Sequence, residues 1–278
     1  MIDSHGAGGG GSGNVSSGGE ASSRGVMRVL ILGGTTEAFQ LAQRLAGDDR
    51  FDALYALAGR TQKPLLPATT CRIGGFGGVD GLARWLVDER VSAMIDATHP
   101  FAAQMSRNAV EAAAITYVPL LRLQRAEWQL QPGDDWRIVA DMAAAVAALG
   151  EQPQRAFLAI GRKEVAAFTA APQHSYLVRA VDAPNAEGLP PQSQVILQRG
   201  PFTFADELAL LQHNRIDIVV SKNAGGTAAY PKIEAARQLG IPVVMVARPA
   251  VPHAPECADI DAALAWLEEL LRPEAHRE

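Results

Sequence analysis

Cysteine is nearly absent from this chain. Its two cysteines, Cys71 and Cys257, are too few for a disulfide framework and lack metal-type spacing. The six histidines are scattered, with no H-x-x-x-H pair, so no metal site is expected. No apolar stretch reaches the ~20 residues that cross a bilayer, which argues against a membrane role. Positive charge is in the minority, with 25 Lys and Arg against 30 Asp and Glu and a net charge of −5. Without a basic run there is no general drive toward nucleic acid, and any anionic ligand must be held by local Arg and Lys. These absences together fit a protein of a reducing cytoplasm.

Residues 1–26 are mostly Gly, Ser and Ala, without periodicity. Such a segment cannot bury enough apolar surface to offset its ordering entropy, so a disordered leader or tag is expected. From Met27 the pattern changes. Val29–Leu32 is a short apolar run that predicts a strand buried on both faces of a parallel sheet. Gly33 and Gly34 end it, and Glu37, Ala38, Leu41, Ala42 and Leu45 follow at helical spacing. A strand, a glycine turn and a helix aim free N–H groups and the positive end of a helix dipole at one point, which suits a phosphate. Against the G-x-G-x-x-G fingerprint, Gly33 fits the first position, Thr35 replaces the second glycine and Ala38 the third. A tight turn that holds no ligand is the plain alternative.

A second apolar strand over 53–58 ends at Gly59-Arg60-Thr61. An acid there would bond ribose hydroxyls, whereas Arg60 favours a 2′-phosphate and hence NADP, unless it is merely solubilising. Thr69–Ile73 predicts a third strand, closed by Gly74-Gly75-Phe76-Gly77-Gly78, and an amphipathic helix is expected over Val79–Arg90. The fourth strand, Ala93–Ala97, leads into Thr98-His99-Pro100-Phe101-Ala102. Pro100 suits the first turn of a helix, with Thr98 or His99 near its cap. Asp96, Thr98 and His99 would then sit at a carboxyl end of the sheet, where ligands collect in open α/β folds. A cap for Thr98 and an ordinary loop histidine for His99 are the alternatives. Tyr117–Leu121 predicts a fifth strand.

Between Arg122 and Val139 the segment reads as a polar, turn-rich linker, and the domain boundary is placed within it, giving units 27–132 and 133–278. The βα alternation then resumes and implies a second parallel sheet. Its strands end in Gly161-Arg162, Gln198-Arg199, Ser221-Lys222 and Ala247-Arg248. On a parallel sheet these ends share one rim, so Arg162, Arg199, Lys222 and Arg248 would form a basic edge on an acidic protein. Four unrelated solvated charges are the alternative.

The segments Gly33-Gly34-Thr35-Thr36-Glu37, Gly74-Gly75-Phe76-Gly77 and Asp96-Ala97-Thr98-His99-Pro100-Phe101-Ala102 occur in this order. They are followed by Arg199-Gly200-Pro201-Phe202, Ser221-Lys222-Asn223-Ala224-Gly225-Gly226 and Gly240-Ile241-Pro242-Val243 leading to Arg248-Pro249. In order and spacing they resemble the precorrin-6A reductase (cobalt-precorrin-6A reductase) family of cobalamin biosynthesis, from Met27 to about Pro249. The resemblance implies an α/β protein of two Rossmann-like domains, parallel sheets flanked by helices, with the active site in the cleft between them. It implies reduction of precorrin-6A to precorrin-6B by NADPH, hydride passing from the nicotinamide to a ring carbon and a proton to its neighbour. The tetrapyrrole would be the small-molecule partner, and contact with neighbouring pathway enzymes is left open.

For the site, cofactor contacts are expected from Gly33, Gly34, Thr35, Thr36, Glu37 and Thr98, with Arg60 on the 2′-phosphate. Ser221, Lys222 and Asn223 are expected to reach into the cleft from the other domain and to contact the cofactor as well. Asp96 and His99 are the nearest candidates for a proton donor. Arg162, Arg199, Lys232 and Arg248 are expected on the substrate carboxylates, which a guanidinium can grip bidentately. Two rival readings stay open: an NADPH-dependent reductase of a small carbonyl or imine, and a non-catalytic NADP sensor.

Overall fold

A computed structural model describes residues 25–59 and 64–272. The first sheet is built from β1 (Met27–Leu32), β2 (Phe51–Leu57), β3 (Thr70–Ile73), β4 (Ala93–Asp96) and β5 (Leu120–Leu123). Helices α1 (Thr36–Ala46), α2 (Gly78–Asp88) and α3 (Ala103–Thr116) connect them. The second half supplies β6 (Trp136–Val139), α4 (Met142–Ala148), β7 (Arg155–Ala159), β8 (Ser175–Ala180), β9 (Ser193–Leu197), α5 (Phe204–His213) and β10 (Ile218–Lys222). It continues with α6 (Pro231–Leu239), β11 (Val243–Val246), β12 (Glu256–Cys257) and α7 (Ile260–Leu271).

Every strand pairing is parallel, and the two sheets run β12-β5-β4-β1-β2-β3 and β6-β11-β10-β7-β8-β9. Parallel strands covered on both faces read as continuous apolar runs, and β1 shows why. Val29 and Ile31 pack with Leu41, Leu45 and Leu267 of α1 and α7, while Leu30 and Leu32 pack with Leu82, Leu86 and Ala109 of α2 and α3. Strand order reverses between β1 and β4 in the first sheet and between β7 and β10 in the second. Loops at such switch points diverge and leave a crevice beyond the carboxyl ends of the strands.

The sheets also exchange edges. β6 follows β5 in the chain yet flanks the second sheet, and β12 follows β11 yet pairs with β5 of the first, Glu256 beside Arg122 and Cys257 beside Leu123. The expected unit 133–278 is therefore corrected at its end, because α7 buries Ala263 and Leu267 in the core of the first sheet. Trp136–Val139, expected as linker, is an edge strand. The fifth strand begins later than expected: Tyr117 holds a left-handed conformation (φ 58°) as the C-cap of α3 and is exposed. The expected leader lies outside the described residues except for Gly25 and Val26. Among the described residues, no helix is long and apolar enough to cross a membrane.

Candidate active site

The carboxyl ends of the two sheets enclose a cleft of about 470 Å³. From the first sheet it is lined by Gly33 and Gly34 after β1, Ala58 and Gly59 after β2, Gly74–Phe76 after β3 and Thr98, His99, Phe101 and Ala102 after β4. The second sheet contributes the Ile160–Glu164 turn after β7, Val181 and Asp182 after β8, and Lys222, Ala224, Ala229 and Lys232. Pockets of a few hundred cubic ångströms with a few convergent polar groups are the usual ligand sites.

On the first-sheet side the turn after β1 is shaped by close approach. A Cβ on Gly33 would come within 2.4 Å of the Tyr55 ring, and the Gly34 N–H donates to the Tyr55 hydroxyl at 3.3 Å. Burial pushes the Tyr55 phenol above its ordinary value. Gly34 and Gly74 both adopt φ +124°, and a Cβ on Gly34, Gly74 or Gly75 would meet nothing within 4 Å, so this backbone is bare toward open space. Thr35 is the N-cap of α1: its Oγ1 accepts from the Ala38 N–H (3.1 Å) and donates to the Ala97 carbonyl (2.9 Å), joining the two loops at the switch point. The N–H groups of Thr36 and Glu37 open the helix and point out of its N-terminus. The Glu37 carboxylate is engaged elsewhere, accepting from Arg125 at 2.8 Å. Arg60 lies outside the described residues.

The loop after β4 differs from expectation. Pro100 does not enter the helix, which starts at Ala103. Instead His99 organises a turn: its carbonyl accepts from the Ala102 N–H (2.7 Å) and its Nδ1 from the Phe101 N–H (3.2 Å). His99 and Phe101 thereby line the cleft. Asp96 does not, which corrects its expected place beside the reacting atoms. It is 2% exposed and accepts from the Thr98 N–H (3.2 Å) and hydroxyl (2.7 Å) through one oxygen, with Arg122 Nε 3.6 Å from the other. Arg122 in turn donates to Glu256 and the Pro252 carbonyl, so Asp96 anchors the Thr98 loop to the returning C-terminal segment.

The second-sheet residues divide similarly. Lys222 lines the cleft, pairs with Glu164 at 3.1 Å and lies 5.1 Å from the Phe101 ring centre. Arg162 lines it beside Asp182, at 3.9 Å. Ser221 and Asn223, expected to reach in, are turned away. Ser221 is fully buried, and Asn223 accepts from the Trp128 N–H (2.9 Å) while donating to the Trp128 carbonyl (3.1 Å). Arg248 is corrected likewise: it donates to the carbonyls of Asn223, Ala224 and Arg125 and leaves the cleft to others. Arg199, exposed beyond β9, is outside the cleft lining. Periodicity indicates which positions lie near a strand end, but at the first residues of a loop it does not fix which way a side chain points. Tyr55 was missed because it reads as one more apolar residue of a buried strand; the glycine pair facing it was the available signal.

Among the described residues, Lys232 is the most confined cation of the cleft. It is 3% exposed, donates to the Ala229 carbonyl (2.6 Å) and lies 4.6 Å from the Trp128 ring centre. Burial, with smaller contributions from Arg179 and Arg125, lowers its pKa to about 7 despite the opposing pull of Glu207.

The family model described as precorrin-6x reductase CbiJ/CobK matches residues 28–268. The precorrin-6A reductase of Sinorhizobium sp is 50% identical over 88% of this chain and 94% of its own length. That of Rhodobacter capsulatus is 51% identical over 87% and 96%. The cobalt-precorrin-6A reductase of Priestia megaterium is 28% identical over 81% of this chain. A solved structure described as CobK precorrin-6A reductase superposes with a TM-score of 0.83 at 51% identity, covering 88% of this chain and 97% of its own. With its two facing parallel sheets and a match over nearly all of its folded length, this chain belongs to the precorrin-6x reductase (CbiJ/CobK) family.

Proposed function

We propose that this chain reduces precorrin-6A to precorrin-6B with NADPH, in the cleft between its two sheets. The observation that carries the reading is the pairing of switch points: bare glycine turns on one wall face Lys222, Arg162 and Lys232 on the other. When bound, the reduced nicotinamide supplies a hydride to a ring carbon, and a proton is added at the neighbouring position.

The first wall suits the cofactor. Gly33, Gly34, Gly74 and Gly75 let an extended ligand lie against backbone, and the Thr36 and Glu37 N–H groups at the head of α1 suit its phosphates. Thr35 ties the loop after β1 to the loop after β4, and Thr98 braces its own loop on Asp96. Arg60, next after Gly59, is proposed to read the 2′-phosphate. The second wall suits the substrate. Arg162 and Lys222 stand where acetate and propionate side chains would enter, each now paired with a carboxylate that a substrate carboxylate would displace. Identity favours the metal-free macrocycle, since the relatives named precorrin-6A reductase reach 50–51% and those named cobalt-precorrin-6A reductase 28–29%.

The test is NADPH oxidation with enzymatically prepared precorrin-6A, with NADH and cobalt-precorrin-6A in parallel. Substrate-dependent oxidation strongly preferring NADPH and the metal-free macrocycle is expected. Tight NADPH binding without turnover would overturn the reductase reading in favour of a sensor. Equal use of NADH would remove Arg60 from the phosphate.

A further inference from the structure

The proton that accompanies the hydride needs an acid within the cleft, and its two walls offer different ones. On the first wall His99 is engaged in its own turn, its Nδ1 accepting the Phe101 N–H and its carbonyl the Ala102 N–H. Asp96 lies off the cleft, its carboxylate accepting from Thr98 and facing Arg122.

The geometry points to Lys232 as the proton donor: its ammonium, enclosed between Trp128 and the Ala229 carbonyl at the second wall, passes a proton to the macrocycle carbon beside the one that accepts hydride. This rests on the reductase reading. The hydride adds to one carbon of a conjugated double bond, and the electron pair of that bond takes the Lys232 proton at the next carbon. Reduced nicotinamide is the reductant. Lys232 is left as a neutral amine, a form that its burial favours, and water re-protonates it between turnovers.

The groups facing Lys232 set a balance suited to an acid. Trp128, from the connector after β5, presents its ring face, and the Ala229 carbonyl accepts one of the three ammonium hydrogens. Glu207 of α5 favours the charge, but it is already committed to Arg179 of β8 in a buried two-point pair. Arg179 and Arg125 oppose the charge, as does burial. Around the same cleft stand the Lys222–Glu164 and Arg162–Asp182 pairs, with Lys163 and His99 also in its lining. A lysine in this setting loses its proton near neutrality, where an acid is most effective, whereas one serving only as an anchor gains nothing from that tuning.

The test is single-turnover reduction of precorrin-6A by the NADPH-loaded enzyme across pH 6–9, in wild type, Lys232→Met and Lys232→Arg. For the wild type the rate should fall as pH rises through about 7. Lys232→Met should lose roughly a hundredfold or more in rate and the pH limb with it. Lys232→Arg keeps the cation, so it should retain substrate affinity but not rate. A Lys232→Met rate within threefold of wild type, or a rate restored by Lys232→Arg, overturns the proposal. Absence of wild-type turnover overturns the reductase reading and this proposal together.

Thermal unfolding gives a readout independent of turnover and of variant activity. An amine with an ordinary value of 10.5 that drops to about 7 on folding binds fewer protons folded than unfolded between those values. Wild-type stability should therefore rise relative to Lys232→Met as pH increases from 7 toward 10. A Tm difference that does not change with pH would show an ordinary lysine and overturn the proposal.

Discussion

Asn223 illustrates how a residue of the right type in the right loop can serve a different end. Its amide oxygen and nitrogen both engage the backbone of Trp128, and its neighbours complete the grip. The Trp128 indole donates to the Gly226 carbonyl at 2.6 Å, while Arg248 and Arg125 donate to the Ala224 carbonyl. Gly225 and Gly226 adopt φ near +70°, and a Cβ on either would strike Ala126 or Arg125 within 2.6 Å. The loop after β10 is thus a clasp on the connector between the sheets, while Ala224 and Ala229, with Lys222 at the strand end, line the cleft. Asn223→Ala leaves buried backbone groups of Trp128 without partners and should cost about 1–3 kcal/mol, read as a lower urea midpoint at unchanged slope.

At the scale of elements, the start of α1 matters beyond its own stability. Thr35 satisfies one orphan N–H of the helix and, through the Ala97 carbonyl, fixes the distance between the loops after β1 and β4. Thr35→Ala should cost about 1–2 kcal/mol, from the cap and the cross-loop bond together, and raise the Kd for NADPH in fluorescence titration. A Thr35→Ser variant, keeping the hydroxyl, should recover most of both. The late start of α3 follows the same logic. Once Thr98 turns to Asp96 and His99 binds the Phe101 and Ala102 N–H groups, residues 98–102 form a separate turn that carries His99 and Phe101 into the cleft.

For the whole molecule, the exchanged edges make the two sheets depend on each other. Residues 27–132 contain five of the six strands of the first sheet but lack β12 and α7, whose Ala263 and Leu267 are fully buried against α1 and the sheet. Arg122 would also lose Glu256 and Pro252, leaving it and Asp96 buried with fewer partners. A fragment of residues 27–132 should therefore show no cooperative thermal transition. In the full chain, Leu267→Ala should cost about 2–5 kcal/mol and lower the stability of the first sheet, which hydrogen exchange would locate in β1 and β4.

The apolar runs of β1, β2, β4, β7, β10 and β11 were legible because parallel strands buried on both faces need them. The glycines at 33, 34, 74 and 75 were legible too, since turns at strand ends require their backbone freedom, and together these features placed the ligand crevice. Local sequence determined that much. It could not determine which sheet the two-residue strand Glu256–Cys257 would join, because so short a segment carries no register of its own and its place is decided by Arg122 and by the burial of α7. Nor could it separate Lys222 from Ser221 and Asn223, or show that Lys232, expected on a substrate carboxylate, is buried against Trp128. Side-chain direction at a loop and the ionisation of a buried group are set by what packs around them, and only the tertiary structure brings Trp128, Arg179 and Glu207 to that place.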